Sequence, residues 1–167
     1  DDIHRDAVLH PGAVTLPAAD ALVCQNCADG KHFLTAVVAG YEVGCRVGLA
    51  SGASQLRRGF HPSGTTGTFA AAAAAAKMLR LEANHTLHAL GIAGTQGAGL
   101  MAAQVSSMVK RMHPGRAAQS GVYGALLAAK GFTGIVDILE APYGGFCTTL
   151  CDEGRTERIT RGLGEEF

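Results

Sequence analysis

Apolar residues along this chain recur at helical spacing, and no stretch alternates strictly enough to read as a strand. In residues 13–27, Val14, Leu16, Ala19, Leu22 and Val23 suit one helix, with Pro17 near its first turn. Residues 31–49 predict a second helix, with Phe33, Leu34, Val37, Val38, Tyr41 and Cys45 on one broad face. Gly40, Gly44 and Gly48 recur on it every fourth residue, a spacing that lets another helix approach closely. Residues 50–59 read as a loop. Residues 65–81 contain seven consecutive alanines, Ala70 to Ala76, and alanine has the highest helix propensity, so this is the firmest helix of the chain. Ser63, Thr65 or Thr66 can cap its start. So slim a helix belongs in the middle of a bundle. Further helices are expected over 82–93, 100–107, 115–130, 133–140 and 152–163, with the glycines of 94–99 as an interruption and Gly131 closing the helix before it. The expected fold is all-α, a helical bundle-like domain of which residues 1–167 form one part.

Composition sharpens this picture. The 29 alanines and 23 glycines make up close to a third of the 167 residues, aromatics are 5% and Trp is absent, so the core must be built from small side chains on closely packed helices. A hydrophobic fraction of 47% is ample for a core. Lys+Arg 14 balance Asp+Glu 14, which leaves no basic stripe for nucleic acid and no polybasic run for an anionic membrane. The longest uninterrupted apolar run, residues 69–76, is too short to span a bilayer. Five Cys do not suggest a disulfide framework, and the acidic start Asp1-Asp2-Ile3-His4 does not read as a secretory signal, so a cytoplasmic location is expected.

The ionisable residues concentrate at the ends of the predicted helices. Three histidines precede a helix breaker: His10-Pro11-Gly12, His61-Pro62-Ser63 and His113-Pro114-Gly115. Lys110-Arg111 lies just before the third, and Asp1-Asp2 before the first. Loops of this kind meeting at one end of a bundle would bring imidazoles, an ammonium and carboxylates into a single pocket, suited to a polycarboxylate and to proton transfer next to a carboxylate. The other candidates have simpler readings. Cys24 and Cys27 read as two small core residues on a helix, not half of a zinc site or a redox pair. His85 and His88 read as an exposed helical pair with no evident third metal ligand, and Glu42 and Arg46 as a helix-surface pair. The 64–67 and 94–99 glycine stretches lack the contexts of a phosphate loop and a dinucleotide fingerprint.

Taken in order, these segments resemble the MmgE/PrpD family. Asp1-Asp2-Ile3-His4 with Leu9-His10-Pro11-Gly12-Ala13 is similar to its first active-site loop, and Gly40-Tyr41-Glu42-Val43 to its long central helix. Arg58-Gly59-Phe60-His61-Pro62-Ser63-Gly64-Thr65 resembles its second loop. Ala89-Leu90-Gly91-Ile92-Ala93, Lys110 through Ala118, Gly131-Phe132-Thr133-Gly134 and Ile138-Leu139-Glu140 follow in family order. Ile3 stands where the family commonly has threonine.

The resemblance implies an enzyme acting on a small di- or tricarboxylate, as dehydratase, decarboxylase or epimerase, hence a lyase or isomerase. It implies no metal or organic cofactor, and a homodimer. It also implies that the chain is an internal portion of the helical domain, without the preceding helices and the α+β lid domain that follows. His10, His61, Lys110 and Asp2 are the implied catalytic residues. Lys110, Arg111, His113 and Ser63 are the implied substrate-binding residues, with His113 also shaping the turn before its helix. The competing expectation is a truncated helical module or assembly subunit without activity of its own.

Overall fold

The computed structural model describes residues 2–24 and 29–165. In chain order the helices are α1 (Gly12–Asp20), α2 (Gly30–Ser51), α3 (Ser54–Arg57), α4 (Pro62–Thr65), α5 (Gly67–Met78), α6 (Ala83–Gly94), α7 (Ala103–Ser106), α8 (Met112–Ala128), α9 (Phe146–Leu150) and α10 (Glu157–Thr160). A 3₁₀ turn, Met108–Arg111, leads into α8. No strand forms among the described residues; two isolated bridges, His4 with Leu9 and Phe60 with Leu100, close loops.

The alanine helix α5 is the axis of the bundle, with α1, α2, α6 and α8 packed around it. Phe69, all seven alanines and Met78 are buried. The neighbours reach it through glycine. A Cβ on Gly44 of α2 would lie 2.6 Å from the Ala70 Cβ, and one on Gly121 of α8 would lie 2.4 Å from the Ala71 Cβ. Helices without side chains at the contact can place their backbones against one another, so many small contacts replace a few large ones. α2 is long and apolar enough to cross a bilayer by length and composition. Here it packs along α5 and carries Arg46, which is buried.

Several elements depart from the sequence expectation. α1 stops at Asp20; Pro17 lies inside it and cannot donate to the carbonyl one turn back. The expected Cys24–Cys27 pair is only half visible: Cys24 is exposed, so it is not a core residue, and Cys27 lies outside the described residues. The expected 65–81 helix is two, α4 and α5, divided at Thr66. The 50–59 loop contains the short α3. α8 begins at Met112, which places His113 and Pro114 inside its first turn.

Residues 133–140 are not helical. This segment lies with its backbone against α6, where the Ile135 carbonyl would be 2.2 Å from a Cβ on Gly91 and the Gly134 N–H donates to His88 Nδ1 (3.3 Å). His88 is therefore half-buried and hydrogen-bonded, not a surface residue. Residues 152–163 form only the four-residue α10. Arg46 donates from α2 to the carbonyls of Ile159 (3.2 Å) and Arg161 (2.6 Å), and Arg155 N donates to the Ala50 carbonyl (2.8 Å), so bonds to α2 replace a longer helix. Arg46 also pairs with Glu42 at largely buried positions, so that pair is a structural anchor and not a surface pair. The C-terminal third is fixed to the bundle by Phe146, which meets Phe69 edge-on at 4.9 Å between ring centroids.

Candidate active site

Three loops meet at one end of the bundle. The first is a turn over residues 2–11 that delivers the chain into α1. The Asp2 carboxylate accepts hydrogen bonds from Gly12 N (2.9 Å), at the start of α1, and from the Tyr41 hydroxyl (2.8 Å), on α2. The Asp2 carbonyl lies 2.5 Å from His10 Nδ1. A carbonyl can only accept, so His10 Nδ1 carries a proton and, in the neutral ring, Nε2 is left as the basic nitrogen. Asp2 thus anchors the loop through its side chain and orients His10 through its backbone. The Tyr41 hydroxyl is pushed up to about 12, first by burial and then by its bond to the Asp2 carboxylate, and remains a donor across the whole neutral range.

The second loop carries His61 and Ser63. It is held by the glycine-rich 94–99 stretch: His61 N donates to the Gly99 carbonyl (3.0 Å), and Ala98 N donates to the Gly64 carbonyl (3.2 Å). The glycines of 94–99 therefore serve a close backbone approach. The third loop, ending in the 3₁₀ turn, carries Lys110 and Arg111.

Asp2, His10, His61, Ser63, Lys110 and Arg111 all line one cleft of about 1260 Å³. Tyr41 also lines it, and Ala13, Leu16 and Met108 supply apolar wall. His113 does not line the cleft. It is buried behind His61, with its Nδ1 2.9 Å from His61 Nδ1.

The charge balance of the cleft is one-sided. Its single carboxylate among the described residues, Asp2, is engaged by Gly12 and Tyr41, while Lys110 and Arg111 make no ion pair among them. His61 is pushed down to about 4, first by burial and then by the nearby His113, Lys110 and His10. It is neutral at pH 7 with the cleft empty. The Ser63 hydroxyl is buried with no partner among the described residues, which leaves it free to bond a ligand in the cleft. Such a cleft can bind several carboxylates and move protons at an adjacent carbon. Among the described residues no three His, Cys, Asp or Glu are grouped to hold a metal.

A second cavity of about 730 Å³ lies beside α2, lined by Val37, Val38, Cys45 and Leu49 with Arg158 and Arg161; the Glu42–Arg46 pair faces it, and, Tyr41 apart, it shares no residue with the cleft, so none of the implied catalytic or substrate-binding residues lines it. Burial, Glu42 and Asp2 push the Cys45 thiol up to about 11, so it is an inert thiol at neutral pH.

Sequence reasoning missed Tyr41 as a site residue, because it falls on the apolar face of a long helix, where an aromatic reads as core. The available signal was its hydroxyl, a polar group that such a face must satisfy.

Comparison with known proteins adds to this geometry. The model of the MmgE/PrpD N-terminal domain matches residues 1–158. The chain is 44% identical over 181 aligned residues to the cis-aconitate decarboxylase-like protein oryM of Aspergillus oryzae, covering 100% of this chain and 38% of that protein. It is 40% identical to cis-aconitate decarboxylase of Aspergillus terreus, covering 98% of this chain and 36% of that protein. It is 35% identical to the Homo sapiens cis-aconitate decarboxylase, covering 87% of this chain and 31% of that protein. The chain thus spans little more than a third of these relatives at most.

Proposed function

Since the chain belongs to the MmgE/PrpD family, we propose that the protein containing it is a lyase that removes carbon dioxide from a small polycarboxylate of the cis-aconitate type. The observation that carries this reading is the gathering of Lys110, Arg111, His10 and His61 around one cleft whose only carboxylate among the described residues is already hydrogen-bonded within the protein. The substrate class follows from the charge: three carboxylates need several cations and donors, and Lys110, Arg111 and the Ser63 hydroxyl supply them.

In the reaction the bond from carbon to the departing carboxylate breaks. Its electron pair passes into the neighbouring unsaturated system and out towards a retained carboxylate, where Lys110 stabilises the added charge. Carbon dioxide leaves, and the carbon takes a proton from a histidine, which water later replaces. His61 and His10 are the two proton carriers. Asp2 and Tyr41 hold His10, and Leu16 and Met108 shield the reacting carbon. A polycarboxylate also favours the charged form of His61 and so arms it as an acid only in the complex.

The full-length protein is tested with cis-aconitate, 2-methylcitrate and iminodisuccinate. Carbon dioxide release from cis-aconitate is the expected result. Dehydration or epimerisation without carbon dioxide release would overturn decarboxylation in favour of the other activities known in the family, and no turnover of any of the three would favour a non-catalytic module.

A further inference from the structure

His113 has no place in the cleft, yet its ring is held with care. It lies in the first turn of α8, buried, against Gly99, whose φ of +138° suits glycine; a Cβ at Gly99 would sit 3.0 Å from His113 Nδ1. The same Gly99 accepts the His61 backbone N–H (3.0 Å), so one residue positions both rings. The rings lie 5.1 Å apart between centroids at 51°, with the two Nδ1 atoms 2.9 Å apart. That is a hydrogen bond with room for one hydrogen. Two N–H groups would repel head to head, and two lone pairs would leave a buried bond unmade. The neutral pair must therefore hold opposite tautomers, one ring protonated at Nδ1 and the other at Nε2.

We propose that His61 and His113 work as one proton-handling unit, in which His113, a positioning residue out of contact with substrate, sets the protonation of the His61 Nε2 that serves the cleft. Among the described residues the groups facing His61 are His113, Lys110 and His10, with no carboxylate among them. When the pair gains one proton, both Nε2 atoms carry hydrogen and a single proton lies between the Nδ1 atoms. His61 then gives its Nε2 proton to the carbon that lost carbon dioxide. The inter-ring proton moves from His113 Nδ1 to His61 Nδ1, and the pair ends neutral with His113 keeping its Nε2–H. Water restores the spent proton after product leaves. The step at substrate rests on the decarboxylase reading, whereas the pairing itself does not.

The test is histidine ¹⁵N NMR on the full chain, as wild type, His113→Phe and His113→Asn. The expected wild type shows opposite tautomers for the two rings at neutral pH, and uptake of one proton by the pair well before the second. In His113→Phe the His61 titration should move up and its tautomer should revert to the ordinary mixture. In His113→Asn the amide can still bond His61 Nδ1, so a single tautomer should persist, while turnover drops tenfold or more because Asn cannot pass a proton. Identical tautomers in the wild type, or a His61 titration and tautomer unchanged in His113→Phe, would overturn the proposal. Should His113→Phe fail to fold, the wild-type tautomers and the His113→Asn result decide it. Coupled rings in a protein that releases no carbon dioxide from cis-aconitate would uphold the unit and overturn the decarboxylase reading instead.

Discussion

Replacing Gly12 by alanine sets two effects of opposite sign against each other. Gly12 opens α1, and Ala in place of Gly in a helix is worth up to about 1 kcal/mol of added stability. At this position, however, a Cβ would lie 2.5 Å from the Tyr41 hydroxyl and 3.0 and 3.2 Å from the Asp2 carboxylate oxygens. These are ends of side chains, so they move instead of straining the backbone, and what is lost is the Tyr41–Asp2 hydrogen bond of 2.8 Å. A bond to a charged acceptor contributes about 1.5–3 kcal/mol, and the exposure of this one argues for the lower figure. Gly12→Ala should therefore destabilise by roughly 0.5–1 kcal/mol net.

Tyr41→Phe should cost about 1.5 kcal/mol by removing the same bond. In that background the hydroxyl in the way is gone, so adding Gly12→Ala should now stabilise, and the double-mutant cycle should show a coupling of about 1.5 kcal/mol. Urea denaturation of the four proteins measures each term. Both single variants should also lower turnover, because His10 hangs from the Asp2 carbonyl. Additive effects, or a Gly12→Ala that raises stability in the wild-type background, would refute the Asp2–Tyr41 clamp.

Three other outcomes follow from the same structure. Binding of a tricarboxylate near pH 7 should take up a proton, between zero and one per site, because His61 is held down to about 4 in the empty cleft and the anion raises it; calorimetry in buffers of different ionisation enthalpy that finds proton release would contradict this. The fold favours neutral His61, whose ordinary value is 6.5, so its contribution to stability is complete above pH 6.5 and is lost as pH falls towards 4. After allowance for solvent screening this amounts to roughly 1–2 kcal/mol, measurable as a shallower acid slope in the denaturation profile of His61→Asn. Ala72→Leu should overpack the fully buried axis and cost about 1–3 kcal/mol or prevent folding, read from the urea midpoint, whereas the same change on an exposed helix surface would be nearly neutral.

Where local chemistry decided the outcome, the sequence was legible. Seven alanines can do little but form a slim helix, and α5 is that helix. His-Pro pairs mark chain breaks before α1 and α4, and His10 and His61 do meet in one cleft, joined by Lys110; the third pair, His113-Pro114, instead falls inside the first turn of α8. Where tertiary contact decided, pattern reading failed. Residues 133–140 carry helix-compatible side chains, but Gly134 and Ile135 press their backbones onto α6, and that contact forbids a helix there. Glu42 and Arg46 have the spacing of a surface pair, yet the carbonyls of residues 159 and 161 that draw Arg46 inward are more than a hundred residues away. Tyr41 escaped for the same reason, and His113, expected to bind substrate, stands behind His61 instead: each is placed by a partner distant in the chain.

In the proposed reaction, the cations of the cleft bind a polycarboxylate and stabilise the charge left by departing carbon dioxide. Lys110→Met in the full-length protein is the sharpest test, because the change keeps an unbranched side chain of nearly the same length and removes the charge with its N–H donors. Carbon dioxide release from cis-aconitate should fall at least a hundredfold in kcat/KM, with the urea midpoint unchanged, since Lys110 makes no ion pair among the described residues. A Lys110→Met protein that releases carbon dioxide at the wild-type rate would contradict the account.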